Sequence, residues 1–87
     1  MDSISLKEYI SEKISNNFTN YYLINDFKHE IVGKNAVIDN DEVVLSDVKI
    51  IDPNNSENYI FKKFFRIKIS SINTFNNCYK ENYDNFS

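Results

Sequence analysis

The sequence predicts one α+β domain spanning residues 1–87, with an N-terminal helix packed on a four- or five-stranded antiparallel sheet and a possible short C-terminal helix. Three observations carry this. Apolar residues recur every four positions up to Phe18 and every second position after Tyr21. β-Branched and aromatic residues dominate from Tyr21 to Ile69. A chain of 87 residues is enough for one hydrophobic core and too short for two.

The helix is predicted over roughly 6–17. Ser5-Leu6-Lys7-Glu8 matches a capping box, and Ile4 and Tyr9 sit where a hydrophobic staple would place them. Leu6, Ile10, Ile14 and Phe18 form one apolar stripe, and Asn16-Asn17 supplies residues that tolerate a left-handed ending. The first strand is expected from Tyr21 toward Phe27, with His29–Val32 as its continuation or a second strand, and Gly33–Asn35 as a turn or bulge. Ala36–Ile38 and Val43–Leu45 flank the polar stretch Asp39–Glu42, which has hairpin length. Val48–Ile51 extends the later strand, and Asp52–Asn58 reads as a break because Pro53 cannot donate to a ladder. Tyr59–Ile69 is the strongest strand, with Tyr59, Phe61, Lys63, Phe65, Ile67 and Ile69 on a core face and Ile60, Lys62, Phe64, Arg66 and Lys68 on a half-wet one. Phe75, Cys78, Tyr79, Tyr83 and Phe86 have spacings that fit a helical stripe over about 74–86. A helix laid across an antiparallel meander resembles the cystatin-like arrangement in topology, a likeness that implies a layout and no function.

Composition excludes several classes. Hydrophobic residues make up 41% and charged residues 26%, so the chain is not a highly charged disordered one. A single Gly and a single Pro leave no phosphate-binding or dinucleotide loop, and one Cys permits no internal disulfide. The start Met1-Asp2-Ser3-Ile4-Ser5 lacks the positive and apolar regions of a signal peptide, and no apolar run approaches the ~18–20 residues of a membrane helix. The expected location is the cytoplasm of a bacterial cell or phage-infected host, with no membrane contact. Fourteen Asn and twelve Ile against one Ala point to an AT-rich genome.

The chemical inventory is thin. His29 is the only His, so any triad or His-ligated metal would have to be built on it. Cys78 has only Lys80 near it as an activating base. The acids near Asp39 lack the spacing of a calcium loop. No enzyme activity, cofactor or metal is expected.

Charge segregation is the distinctive feature. Residues 39–57 hold six acids and one base, a net −5, while residues 58–70 hold four bases and no acid. As neighbouring strands these stretches would pair across the sheet. As a surface, Lys62, Phe64, Arg66 and Lys68 would dock an acidic protein face, or stack and hold single-stranded nucleic acid, and Asp39, Asp41 and Glu42 would enter a basic groove. The expectation is a small non-enzymatic inhibitor or adaptor, of the anti-defence (anti-CRISPR-like) or immunity type, whose partner is a host or cognate protein or a nucleoprotein complex. Single-stranded nucleic-acid binding and a self-associating structural subunit are the alternatives.

Overall fold

A computed structural model describes the backbone of residues 3–16, 18–52 and 54–86, and the side chains of all of these except 3, 4 and 55–58. The elements are α1 (Ser3–Ser15), β1 (Tyr21–Asn25), β2 (Glu30–Asp39), β3 (Glu42–Asp52), β4 (Asn55–Lys68), a 3₁₀ turn (Ile69–Ser71), β5 (Thr74–Cys78) and α2 (Lys80–Asp84). The five strands form one antiparallel sheet in the order β4-β3-β2-β1-β5. The α+β architecture with both helices is therefore as the sequence predicts. The strand order is a meander up to β4, after which the chain crosses to the opposite edge and places β5 beside β1.

Helix α1 packs through Ile10, which is fully buried, with Leu6 and Ile14 half-buried beside it. It begins before the predicted start, so Ser5 and Glu8 lie inside its first turns instead of forming the cap. The Ile4 side chain of the expected staple lies outside the described residues, as does Asn17. Phe18 falls beyond the helix and is exposed, so the stripe ends at Ile14.

The sheet buries residues on both of its faces, one fully and one in part. One carries Tyr22, Ile24, Val43, Leu45, Ile67 and Phe75 under α1 and the crossing segment, from which Ile69 and Ile72 insert. On the other, Val32 and Cys78 are covered by Tyr83 of α2, with Tyr21 and Phe86 at its margin. Tyr83 is held there by a hydrogen bond from its hydroxyl to the Asp47 carbonyl at 2.6 Å and by the Lys49 ammonium, which donates to the Tyr83 carbonyl at 2.8 Å. The Lys49 and Lys34 ammonium groups also lie 4.2 and 4.9 Å from the Tyr83 ring centroid, within reach of its π-face.

The structure departs from three further sequence expectations. Residues 74–86 are a strand followed by a short helix, because Phe75 and Cys78 face opposite sides of a strand that is covered on both, and a spacing of three mimics a helical stripe. The break at 52–58 shrinks to a tight turn in which Asp52 Oδ1 accepts the Asn54 N–H at 2.9 Å, while Pro53 lies outside the described residues. On β4 the core face holds only from Phe65 onward. Ile67 is buried and Phe65 half-buried, whereas Tyr59, Phe61 and Lys63 are exposed because the faces of the strand exchange beside Asp47: Phe61 stands opposite Lys49, which reaches Tyr83 on the other side of the sheet, and Lys62 opposite the core residue Val48.

Gly33 marks the tightest approach in the sheet. A Cβ there would meet Val48 Cγ2 at 3.0 Å and Leu45 Cβ at 3.1 Å. Gly33→Ala is accordingly expected to cost about 1–3 kcal/mol through overpacking. Ile67→Ala should cost about 2–5 kcal/mol, while exposed Phe64→Ala should stay within about 0.5 kcal/mol. Urea melts rank the three, and a costlier loss at Phe64 than at Ile67 would reverse the strand faces.

Candidate functional site

The predicted acidic and basic residues meet across the β3–β4 ladder. Register sets Glu42 opposite Lys68, Val44 opposite Arg66, Ser46 opposite Phe64 and Val48 opposite Lys62. Asp39 ends β2 directly across from Glu42. Arg66 Nη1 therefore reaches both carboxylates, donating to Asp39 Oδ2 at 2.9 Å and Glu42 Oε1 at 3.3 Å. The Asp39 hydrogen bond leads in raising the Arg66 pKa above its ordinary value. Asp47 is similarly taken up. Lys63 donates to it at 3.1 Å and Lys34 stands 3.7 Å away, and the Lys63 hydrogen bond leads in holding the Asp47 carboxyl below the usual range. Exposed pairs of this kind contribute about 0–1 kcal/mol each. Their larger effect is to merge the acidic and basic stretches into one mixed surface.

Of the seven predicted residues, Asp39, Glu42 and Arg66 are thus brought together as a cluster. Asp41 and Lys68 line a shallow cleft beside it with Lys7 and Ser70. Lys62 and Lys68 have no carboxylate partner among the described side chains. Phe64 lies between these two lysines along the strand and is 67% exposed. β4 is a sheet edge, and its first half adds exposed Tyr59, Ile60 and Phe61. Long apolar edges of this kind are uncommon, since they invite pairing with other chains.

Elsewhere the titratable groups are few and separated. Among the described residues no three His, Cys, Asp or Glu side chains stand close enough to hold a metal ion. Cys78 is buried, and burial pushes its thiol pKa up, away from the nucleophilic thiolate. None of the described helices is long and apolar enough to cross a membrane. His29 Nδ1 lies 3.5 Å from Asp26 Oδ2 in the β1–β2 loop.

That loop holds a feature the sequence reading missed. Phe27 has φ of 79°, in the left-handed region where bulky residues are strained, and is 70% exposed. Neighbouring side chains impose the conformation. Asn25 Oδ1 accepts the Phe27 N–H at 2.9 Å, and Asp26 Oδ1 accepts the Lys28 and His29 N–H groups at 3.0 and 2.6 Å. The Asn25-Asp26 pair is a legible turn signal; nothing in the sequence marks the next residue as left-handed.

No protein-family model, curated protein or solved structure matches the chain.

Replacing Phe27 with Asn, which tolerates this conformation, is expected to raise stability by roughly 1 kcal/mol by relieving the strain. A lowered denaturation midpoint would show that the ring is held by contacts after all. The loop also carries a pH response. Burial raises the Asp26 pKa, but the Lys28 and His29 N–H groups and the His29 ring outweigh it, so the carboxyl lies below its ordinary 3.8. A depressed carboxylate contributes stability above its unfolded pKa of about 3.9 and loses it as pH falls through the folded value. Melting temperatures measured from pH 5 downward should therefore fall, and Asp26→Asn should flatten part of that decline, the remainder belonging to Asp47 and Asp84, which are also lowered.

Proposed function

We propose that the chain is a non-enzymatic inhibitor or adaptor of the anti-defence or immunity type, acting in the cytoplasm, that grips an acidic surface of a partner protein with the exposed face of β4. The observation that carries this is Phe64, 67% exposed at the centre of an edge strand, flanked along that strand by Lys62 and Lys68 and by an Arg66 already oriented by Asp39 and Glu42. An exposed aromatic ring beside Arg and Lys side chains has the composition of an interface anchor. Arg66 keeps further N–H donors beyond the one that reaches its own carboxylates, and its orientation is set before any partner arrives. The pairing of Asp39, Glu42 and Asp47 within the sheet argues against the acidic stretch as the contact, and leaves less unpaired positive charge for phosphates than the four bases suggest.

Affinity capture from a low-GC bacterial lysate, with and without nuclease, tests the reading. A specific protein retained after nuclease treatment should be lost with Phe64→Ala, whose removal as a central anchor weakens binding by roughly thirtyfold or more. It should also be lost with Lys62→Glu and Lys68→Glu combined, and kept with Asp41→Lys. Capture that survives the β4 variants, or that disappears with nuclease, overturns it, the latter in favour of single-stranded nucleic acid.

A further inference from the structure

Resting on that reading and going past it, we infer that β4 takes its partner as an added strand: an extended acidic segment that hydrogen-bonds along the free edge of β4 and extends the sheet to six strands. β4 runs 14 residues and is paired on one side only, to β3. Along the other side, alternate residues turn N–H and C=O groups outward, the template that an extended peptide completes.

Charge selects the occupant. Lys62 and Lys68 lack carboxylate partners among the described side chains, and residues 58–70 contain no acid of their own. A second copy of this chain is the poorer fit. Antiparallel pairing centred on Phe64 sets Lys62 of each copy against Arg66 of the other, like charge against like. Lysines along an edge are also a common guard against such self-pairing. A foreign strand bearing acids meets no such penalty.

Register then specifies the segment. Phe64, Arg66 and Lys68 alternate with the core residues Phe65 and Ile67 and so share one face of the strand, whereas Lys62, opposite the core residue Val48, lies past the point beside Asp47 where the faces exchange. In an antiparallel addition, acids belong opposite Lys68 and Lys62, six positions apart, with an apolar residue opposite Phe64. The position opposite Arg66 is left unrestricted, because Asp39 and Glu42 already balance the charge of that guanidinium through Nη1, and its remaining N–H donors need no acid. The recognised pattern is acid, three unrestricted residues, apolar, one unrestricted residue, acid.

The probe is a synthetic peptide of this pattern, Thr-Glu-Thr-Thr-Thr-Ile-Thr-Glu-Thr with blocked ends, titrated into the 15N-labelled full chain at low salt. Expected are shifts and slowed hydrogen exchange at alternate β4 amides between 59 and 68. Affinity should fall by about tenfold or more with Lys62→Glu and Lys68→Glu combined, and with the Glu residues of the peptide changed to Lys, and should weaken past ~0.15 M salt. Shifts at the Phe64 and Arg66 side chains without protection of β4 amides would overturn strand addition while leaving face docking intact. Binding unaffected by the double reversal would overturn the charge argument. Absence of binding, or concentration-dependent β4 protection without peptide, would overturn the inference, the latter in favour of a second copy.

Discussion

The crossing from β4 to β5 governs the shape of this molecule. Lys68 sits level with Glu42, which faces Asp39 at one end of β2, and Thr74 sits level with Asn25, which faces Glu30 at the other. In a flat sheet these points would be separated by nine residues along the strands and four strand spacings across them, roughly 35 Å in all. Six Cα–Cα links reach at most about 20–22 Å, and the 3₁₀ turn at Ile69–Ser71 shortens that further. The connection can close only if the sheet coils. Hydrogen bonds from the Ile69 N–H to the Asp41 carbonyl at 2.8 Å and from the Asn73 N–H to the Asn25 carbonyl at 2.7 Å pin both ends of the crossing.

The coil has identifiable sources. Pairing between β2 and β3 shifts register on both sides of Lys34, and Asn35 and Asp47 have positive φ, the irregularities that bend a strand and increase its twist. Gly33 lies at the inside of the bend, where Val48 and Leu45 leave no room for a side chain. On the outside, the Asp47 carbonyl is capped by the Tyr83 hydroxyl, so α2 covers the bulge it depends on. The crossing segment and α1 fill the concave face, and α2 with its tyrosine fills part of the convex one. What remains exposed is the first half of β4, with Tyr59, Ile60 and Phe61.

Much of this was legible in the residues, and the misreadings share a cause. The period change after Phe18, the hairpin at Asp39–Glu42 and the alternation from Phe64 to Ile67 are local signals, and each corresponds to an observed element. The tail was not legible because a strand buried on both faces has no period of two in its hydrophobicity. Its partner on one side is β1, some fifty residues earlier, and no local pattern announces that. The exposure of Tyr59 and Phe61 was hidden for a related reason, since alternation within one strand does not show where an irregularity in its partner, here at Asp47, exchanges the faces. For the candidate site, segregation of charge was visible in the sequence, whereas the division into paired and unpaired residues followed only from register. Phe27 depended on a backbone conformation imposed by its neighbours.

That division changes what the charges can do. With Arg66 held by Asp39 and Glu42, and Lys63 by Asp47, the four bases of β4 cannot act as one positive field. Lys62 and Lys68 stand six residues apart, about 20 Å along a strand, more than twice the Debye length of about 8 Å at physiological salt. They therefore act as two separate contacts, on a chain whose net charge of −3 would oppose long-range attraction to any acidic partner. On the reading proposed above, selectivity along this edge would come from position: two cations at a fixed separation, an aromatic ring between them, and a backbone whose hydrogen-bonding groups repeat with the same period. A diffuse acidic surface would engage one lysine at a time and gain little, whereas an extended strand meets all of these features in register. On that reading the arrangement would favour partners that present a strand over partners that merely carry charge.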